Sequence, residues 1–259
     1  MSGRAAAAEL AWRVEAVCFN AFPSLKQAIL QGWLLRFSKG ISRRANSANA
    51  LGPDYAAPEL VIEQIEAIYR GQGQPTIFRV PSFLAGLNES LMARGYRSEG
   101  ETCVLYGEMD AVAAAPAESV EPTAEPSTEW LAAMAVFQQH SEAQREVYRR
   151  MVEAIAVPAT FAALRIDGSL AALAYGAASH GLLVYESVIT DPARRRQGLA
   201  WRVIAAIAAW GREHGARGVC LQVEAGNAPA RALYDRFGLS TELYRYRYWR
   251  QSDADRTGS

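Results

Sequence analysis

Residues 190–200 read Thr-Asp-Pro-Ala-Arg-Arg-Arg-Gln-Gly-Leu-Ala, and they join a predicted strand to a predicted helix. Pro192 ends the strand because proline cannot continue the pairing and favours a turn instead. The apolar residues that follow recur at helical spacing, at Leu199, Val203, Ile207 and Trp210. The first turn of a helix has unpaired N–H groups and the positive end of the macrodipole. This stretch therefore predicts an anion-binding turn of the kind that holds a diphosphate.

The small residues of this turn have a distinctive spacing, Arg195-x-x-Gly198-x-Ala200. Gly198 lets the backbone approach a ligand closely, and Ala200 keeps that approach open. The spacing matches neither the G-x-x-x-x-G-K-[ST] loop nor the G-x-G-x-x-G fingerprint of nucleotide-binding proteins. Taken alone, the three arginines from Arg194 to Arg196 would indicate a solvated basic turn, so the neighbouring elements decide the interpretation.

The neighbouring elements follow in a specific order. A strand end at Val188–Pro192 precedes the turn, and Val219–Val223 is a nearly continuous apolar strand of the kind buried on both faces. Asn227 is placed to cap a last helix, which ends Ala-Leu-Tyr-Asp-Arg-Phe-Gly-Leu at residues 232–239. With the turn, these pieces resemble the [RQ]-x-x-G-x-[GA] pyrophosphate loop and the following elements of the GNAT superfamily of acyl-CoA N-acyltransferases. The resemblance covers residues 128–250 and implies the GNAT fold, an α/β fold (α+β) with a mixed sheet.

The resemblance implies acetyl-CoA as the co-substrate and assigns its binding residues. Backbone N–H groups of the turn would hold the diphosphate, and the strand before it would line the pantetheine arm and polarise the thioester oxygen. Asn227 matches the family asparagine that bonds the pantetheine arm. The implied acetyl-CoA-binding residues are Val188, Ile189, Thr190, Arg195, Arg196, Gln197, Gly198, Leu199, Ala200, Asn227 and Tyr234.

Two residues are candidates for the proton transfers. Tyr234 matches the family position whose phenol faces the CoA sulfur, and a phenol with a pKa of ~10 can protonate a thiolate leaving group. Its alternative role is a tyrosine packed in the core. Glu186 lies two residues before Val188, and we expect both to share one face of the strand, with Glu186 as the general base. Glu224 competes for that role, and a strand glutamate can also be a solvated or ion-paired residue.

Composition excludes several classes of function. Lys+Arg and Asp+Glu number 27 each, so no excess of positive charge favours nucleic acid. Three scattered cysteines and three scattered histidines predict neither disulfides nor a metal site and favour a reducing compartment. The sequence predicts no signal peptide and no membrane span, and therefore a cytoplasmic protein. In the last strand Tyr244, Tyr246 and Tyr248 alternate with arginines, which we interpret as a two-faced strand rather than a nucleic-acid surface.

The sequence predicts two domains. Residues 111–127, rich in alanine, proline and glutamate, are predicted to be an extended linker between domains at 1–110 and 128–250, and residues 251–259 a disordered tail. Residues 91–96 and 233–239 both follow a Leu-x-x-Arg, glycine, bulky residue, strand pattern. The first half lacks the Arg-x-x-Gly-x-Ala loop and has Met92 where the second has Tyr234. It is similar to the degenerate half of tandem-GNAT, N-acetylglutamate-synthase-like bacterial proteins.

The expected function is transfer of an acetyl group from acetyl-CoA to a primary amine of a small molecule or peptide. Arg36, Arg43 and Arg44 are candidates for recognising an acidic acceptor, or are simply surface charge. The alternative is a protein that senses acyl-CoA or docks a partner without turnover. The acceptor, the acyl-chain range and the oligomeric state are left open by the sequence.

Overall fold

The computed structural model describes residues 2–84, 86–113 and 120–251. The chain divides into two compact units. The larger unit contains Met1–Pro23, Leu105–Val223 and Asn227–Leu243, and the smaller contains Ser24–Val104, Glu224–Gly226 and Tyr244–Ser259. Within the described part of the chain, no helix has the length and apolar character needed to cross a membrane. Residues 114–119 of the predicted linker and residues 252–259 of the predicted tail lie outside the described residues.

Seven α-helices and eleven strands are formed by the described residues. The helices are α1 (Ser2–Ala21), α2 (Pro58–Gly71), α3 (Leu87–Ala93), α4 (Thr128–Phe137), α5 (Glu142–Glu153), α6 (Leu199–Glu213) and α7 (Ala228–Phe237). The strands are β1 (Lys26–Leu30), β2 (Trp33–Phe37), β3 (Ala48–Ala50), β4 (Ile77–Pro81), β5 (Tyr96–Glu108), β6 (Val120–Thr123), β7 (Ala159–Ile166), β8 (Ser169–Ser179), β9 (Leu182–Thr190), β10 (Gly218–Glu224) and β11 (Thr241–Gln251).

The larger unit is built on a mixed sheet. Its strands follow the order β5-β10-β9-β8-β7-β6. β9 and β10 are parallel, whereas β6, β7, β8 and β9 pair antiparallel in succession. α6 packs against β8 and β9, and α1 packs against the same two strands. The predicted mixed α/β architecture is confirmed.

The N-terminal helix belongs to the larger unit, although the sequence assigned it to a first domain at 1–110. Its buried face includes Val14, Val17 and Cys18. At its end the Tyr175 hydroxyl of β8 donates to the Ala21 carbonyl oxygen over 2.9 Å. Near its middle, Arg13 Nη2 donates to the His180 carbonyl oxygen over 3.1 Å. The composition-based boundary missed this because α1 finds its apolar partner surface more than a hundred residues later in the sequence.

The predicted linker is wrong at 120–123, where the chain forms β6. Val120 is buried, and the strand pairs antiparallel with residues 161–164 of β7. β6 is the last strand in the sheet order. An edge strand tolerates Pro122 because one side of its backbone needs no partner. The residues before it also depart from an extended linker, since Met109–Ala111 forms a 3₁₀ turn.

The strands that lie wholly or partly in the smaller unit follow the order β1-β2-β3-β4-β11-β5. β3 and β4 are parallel, and β4 and β11 are antiparallel. Residues 41–46 form a loop, which the Asn46 side chain holds through hydrogen bonds to nearby backbone groups. Asn46 Oδ1 accepts from the Ser38 and Gly40 N–H groups, and its Nδ2 donates to the Ser42 carbonyl oxygen. Strand β1 was not predicted, and it lies at the outer edge with a mostly exposed face.

Gly238 ends α7 and directs the chain into β11. Its φ of 110° is in the left-handed region that favours glycine. A Cβ atom built there would lie 2.5 Å from the Ala111 carbonyl oxygen, so backbone as well as φ excludes a side chain.

We predict that Gly238→Ala lowers the free energy of unfolding by about 2–4 kcal/mol, because it adds a backbone clash to the cost of the left-handed conformation. Urea unfolding followed by circular dichroism measures this. Gly215→Ala is the matched control, since Gly215 has a φ of +75° but open space around its Cβ position. It should cost only about 1 kcal/mol, and equal losses in the two variants would contradict the steric argument.

Candidate active site

A β-bulge interrupts β9 just before the predicted acetyl-CoA turn. Tyr175 of β8 pairs with Glu186, and Leu173 pairs with Ile189, so β9 has one more residue than its partner between these pairs. Ser187, inside the bulge, has a φ of 52°, which is unusual for a residue with a Cβ atom. Paired residues of an antiparallel ladder share a face, so Glu186 and Ile189 lie on the same face of the strand. The expectation that Glu186 shares its face with Val188 is therefore wrong, because the extra residue shifts the alternation.

The pairing between β9 and β10 ends before either strand does. Their parallel register runs from Leu182 and Gly218 to Tyr185 and Leu221. Beyond that pair both strands continue, β9 to Thr190 and β10 to Glu224. No further pair joins them within the described residues. Backbone groups of residues 187–190 on the side of β10 therefore have no ladder partner on that strand.

The predicted diphosphate turn has the backbone that its sequence suggests. After Asp191, whose side chain accepts from the Ala193 N–H over 2.9 Å, a short 3₁₀ turn leads to α6. Gly198 is the N-cap of α6 with a φ of 73°, no side chain caps the helix, and open space surrounds its Cβ position. Arg195, Arg196 and Gln197 are exposed. The first N–H groups of α6 therefore point to an open surface lined by positive charge.

The other turn arginine, Arg194, has protein partners. It is half-buried and lies 3.5 Å from an Asp167 carboxylate oxygen and 4.0 Å from one of Asp191. Arg194 thus anchors the turn, while the side chains of Arg195 and Arg196 remain exposed.

Tyr234 is carried by α7 and is buried. Asn227 caps this helix, as predicted, with Oδ1 accepting from the Ala230 N–H over 3.2 Å. Phe237, one turn after Tyr234, packs edge-on against Tyr185 and Trp201. These contacts fix the rotation of α7 and with it the direction of Tyr234.

Glu186 is close enough to Tyr234 to influence its titration. Burial first, and then the negative charge of Glu186, raise the pKa of the Tyr234 phenol well above its ordinary value. Glu186 itself is 4% exposed. The structure thus brings the two candidate acid–base residues together. Glu224, the competing base, is exposed at the end of β10 and belongs to the smaller unit.

Two buried thiols lie on the face of the sheet that α1 covers. Cys18 and Cys220 are free and buried, and a hydrogen bond between them, followed by burial, raises the pKa of Cys220. Glu186 also contributes to that shift. A thiol with a raised pKa is a poor nucleophile, so Cys220 does not suit covalent catalysis. Among the residues that the structure describes, no group of His, Cys, Asp and Glu side chains is arranged to hold a metal ion.

Three arginines named as acceptor candidates lie in the smaller unit. Arg36 is fully buried and donates from Nη1 to the Arg44 carbonyl oxygen over 3.0 Å. Burial, then Arg44 and Arg79, lower its pKa to about 10. Arg43 pairs with Glu99 at 3.6 Å and lies over the Tyr248 ring. Arg36 is therefore a structural residue rather than a surface for an acceptor.

Strand β11 has the two faces that its alternating sequence predicts. Its three tyrosines are buried, and its arginines pair with Glu99 and Glu101, as in the 2.8 Å contact of Arg245 with Glu101. A cavity of about 220 Å³ lies elsewhere, at the opposite end of β9, and its lining includes His180, Leu182 and His214. It is separate from the bulge and the turn.

The chain matches a known family over nearly its whole length. The family model described as "Probable histone acetyltransferase Rv0428c C-terminal" matches residues 11–249. The chain belongs to this family. It is an N-acetyltransferase of the GNAT type, as its relatives also indicate.

Three relatives illustrate the match. The "Uncharacterized N-acetyltransferase YobR" of Bacillus subtilis (strain 168) is 24% identical over 233 residues, which are 88% of this chain and 94% of the relative. A GCN5-related N-acetyltransferase from Kribbella flavida has a TM-score of 0.69 at 18% identity, covering 94% of this chain and 97% of its own. A "Tandem GNAT protein from the clavulanic acid biosynthesis pathway" has a TM-score of 0.61 at 16% identity, covering 78% and 74%. At these low identities, the two structural matches show a shared fold.

The sequence missed the bulge and its contact with α5. The Tyr148 hydroxyl donates to Ser187 Oγ over 2.8 Å. A serine gives no sign of a left-handed backbone, for which glycine, asparagine or aspartate would be the usual signal. The extra residue of β9 becomes visible only from its pairing register with β8.

Proposed function

We propose that this GNAT protein transfers an acetyl group from acetyl-CoA directly to a primary amine. The observation that carries the proposal is the end of pairing between β9 and β10 at Tyr185 and Leu221, immediately before the uncapped N-terminus of α6. An opening between two strands next to unpaired helical N–H groups suits a ligand that has an extended arm and a diphosphate. Acetyl-CoA has both.

Residues of β9 and the turn would hold this donor. The N–H groups of Arg195, Arg196, Gln197, Gly198, Leu199 and Ala200 would bind the diphosphate, and the exposed guanidinium groups would neutralise its charge. Backbone groups of Val188, Ile189 and Thr190 would pair with the amide groups of the pantetheine arm as a neighbouring strand does. Asn227 would reach the same arm, in addition to capping α7. One N–H of the strand would stabilise the oxyanion that forms on the thioester carbonyl.

Glu186 and Tyr234 would manage the protons. Glu186, directly or through a water, would accept a proton from the acceptor ammonium, so that the free amine nitrogen can attack the thioester carbonyl carbon. A C–N bond then forms and the C–S bond breaks. Tyr234 would donate its phenolic proton to the departing thiolate, a role supported by its position on α7 near Glu186 and by the protonated state of a phenol at neutral pH. The products are the N-acetylated amine and CoA.

We also propose that the smaller unit is a degenerate GNAT-like domain. In it α3, Arg94 and Gly95 (φ 78°) lead into β5, just as α7 and Gly238 lead into β11. Both units contain parallel as well as antiparallel strand pairs. One structural relative is described as a tandem GNAT protein, which supports the same interpretation. The domain boundaries then follow the two units rather than a cut at 111–127.

The acceptor is a small molecule or a peptide with a primary amine. The family description names a probable histone acetyltransferase, so lysine-containing peptides belong in any test beside amino acids and polyamines. Release of CoA measured with a thiol reagent over this panel tests the proposal. A protein that only senses acyl-CoA would be thermally stabilised by CoA but would release no thiol when amines are added.

We predict that Gly198→Asp raises the Kd for acetyl-CoA at least about tenfold, because the new carboxylate would face the diphosphate at short range. The left-handed backbone of Gly198 adds a strain of about 1 kcal/mol to this substitution, and the control below carries the same strain. Gly215→Asp, at the other end of α6 with nearly the same φ and open space around it, adds the same charge and should leave the Kd unchanged. Calorimetry on both variants is the measurement, and equal affinity of wild type and Gly198→Asp would reject the diphosphate site.

We predict that Tyr234→Phe lowers kcat about a hundredfold with little change in the acetyl-CoA KM, because the leaving thiolate loses its proton donor. Tyr185→Phe is the control. Tyr185 is also buried, but its hydroxyl donates to the Ile204 carbonyl oxygen on α6. Steady-state kinetics of both variants decide the matter. Wild-type turnover by Tyr234→Phe would remove this residue from the mechanism.

We predict that Glu186→Gln lowers kcat/KM most strongly at neutral pH. The loss should shrink as pH rises, since a larger fraction of the acceptor amine is then deprotonated by solvent. The measurement is kcat/KM from pH 6.5 to 9.5. Glu224→Gln serves as the matched control and should retain the wild-type profile. If instead the profile changes only in Glu224→Gln, the base has been assigned to the wrong glutamate.

A further inference from the structure

Helix α5 contacts the bulge of β9 through a partly buried hydrogen bond. The Tyr148 hydroxyl donates to Ser187 Oγ over 2.8 Å, and the two residues are 39 positions apart in the sequence. Tyr148 is 4% exposed. This bond therefore connects the strand that leads to the turn with a helix that supplies none of the proposed donor-binding residues.

Ser187 has a backbone conformation that needs outside support. A φ of 52° brings its Cβ atom close to backbone, so residues with a side chain adopt it only when their surroundings hold them there. The conformation matters for the neighbours on both sides. It sets the direction of Glu186, which precedes it, and of the peptide groups from Val188 to Thr190, which follow it.

Helix α5 is stabilised by local contacts and by a buried face that includes Val147 and Met151. It begins with a capping box, in which the Ser141 hydroxyl accepts from the Gln144 N–H and the Gln144 side chain accepts from the Ser141 N–H. The Tyr148 ring packs against His140, with ring centroids 5.4 Å apart. On the exposed side of the helix, Arg149 pairs with Glu146 and Glu153. Tyr148 thus presents its hydroxyl from a rigid support.

We propose that Tyr148 is a positioning residue that holds Ser187 in the left-handed conformation and so fixes the strand edge to which the acetyl-CoA arm binds. The inference rests on the proposed function in one respect, namely that the donor lies along Val188–Thr190. Tyr148 takes no part in the chemistry. Its effect on the reaction passes through the hydroxyl of Ser187 and the backbone of the bulge.

A double-mutant cycle on donor affinity tests this role. Tyr148→Phe and Ser187→Ala should each raise the acetyl-CoA Kd about fivefold, the equivalent of one hydrogen bond. The double variant should be no weaker than either single variant, because both lose the same bond. Ser187→Gly should lose less affinity than Ser187→Ala, since glycine adopts this φ without support. Tyr185→Phe, which removes another buried tyrosine hydroxyl bond from the larger unit, should bind like wild type.

Amide hydrogen exchange provides a readout that needs no donor. Exchange at residues 187–190 should accelerate in Tyr148→Phe and stay unchanged in Tyr185→Phe. If wild type fails to bind acetyl-CoA, the proposed function fails while the exchange data still decide the role of Tyr148. The inference is overturned by unchanged affinity and exchange in Tyr148→Phe, or by effects of the two single variants that add fully. It is equally overturned if Tyr148→Phe lowers kcat alone, because Tyr148 would then touch the reacting groups.

Discussion

A strand that leaves its partner exposes backbone N–H and C=O groups that folded proteins normally keep paired. In the larger unit β9 stops pairing with β10 after Tyr185. A bulge at Ser187 follows two residues later. Everything proposed for the site depends on that departure. It creates a length of unpaired backbone, and it ends where α6 begins with its own unpaired N–H groups. Two kinds of unsatisfied backbone therefore meet at one place, and a single long ligand can satisfy both.

The side chains around this opening are arranged by burial more than by charge. Tyr234 is held by the packing of Phe237 on Tyr185 and Trp201, and burial and the nearby Glu186 raise the pKa of its phenol. In the proposed reaction this phenol and this carboxylate would be the donor and the acceptor of protons. Acyl transfer from a thioester asks for little more, because the thioester is already activated and the main requirement is correct placement.

The sequence predicted the parts of the site that local chemistry determines. Gly198, Asn227 and Pro192 each report on one turn or cap, and the structure has the predicted turn and caps at all three. It did not predict the features that depend on partners far along the chain. The bulge at Ser187 requires comparing β9 with β8. The strand β6 requires knowing that its proline would lie at an edge. The loop at 41–46 depends on one side chain, Asn46, which bonds the Ser38 N–H and the Ser42 carbonyl oxygen.

The way the two units are threaded has a consequence for how the protein is made. Helix α1 is synthesised long before β8 and β9, the strands that cover its apolar face, which follow only at residues 169–190. Strand β11 supplies Thr241–Leu243 to the larger unit and Tyr244–Gln251 to the smaller one. The larger unit is complete only once Leu243 has been made and the smaller only once the rest of β11 follows, so neither can form in full before the last strand is translated. Until then the apolar side of α1 has to be shielded, by chaperones or by transient contacts within the nascent chain.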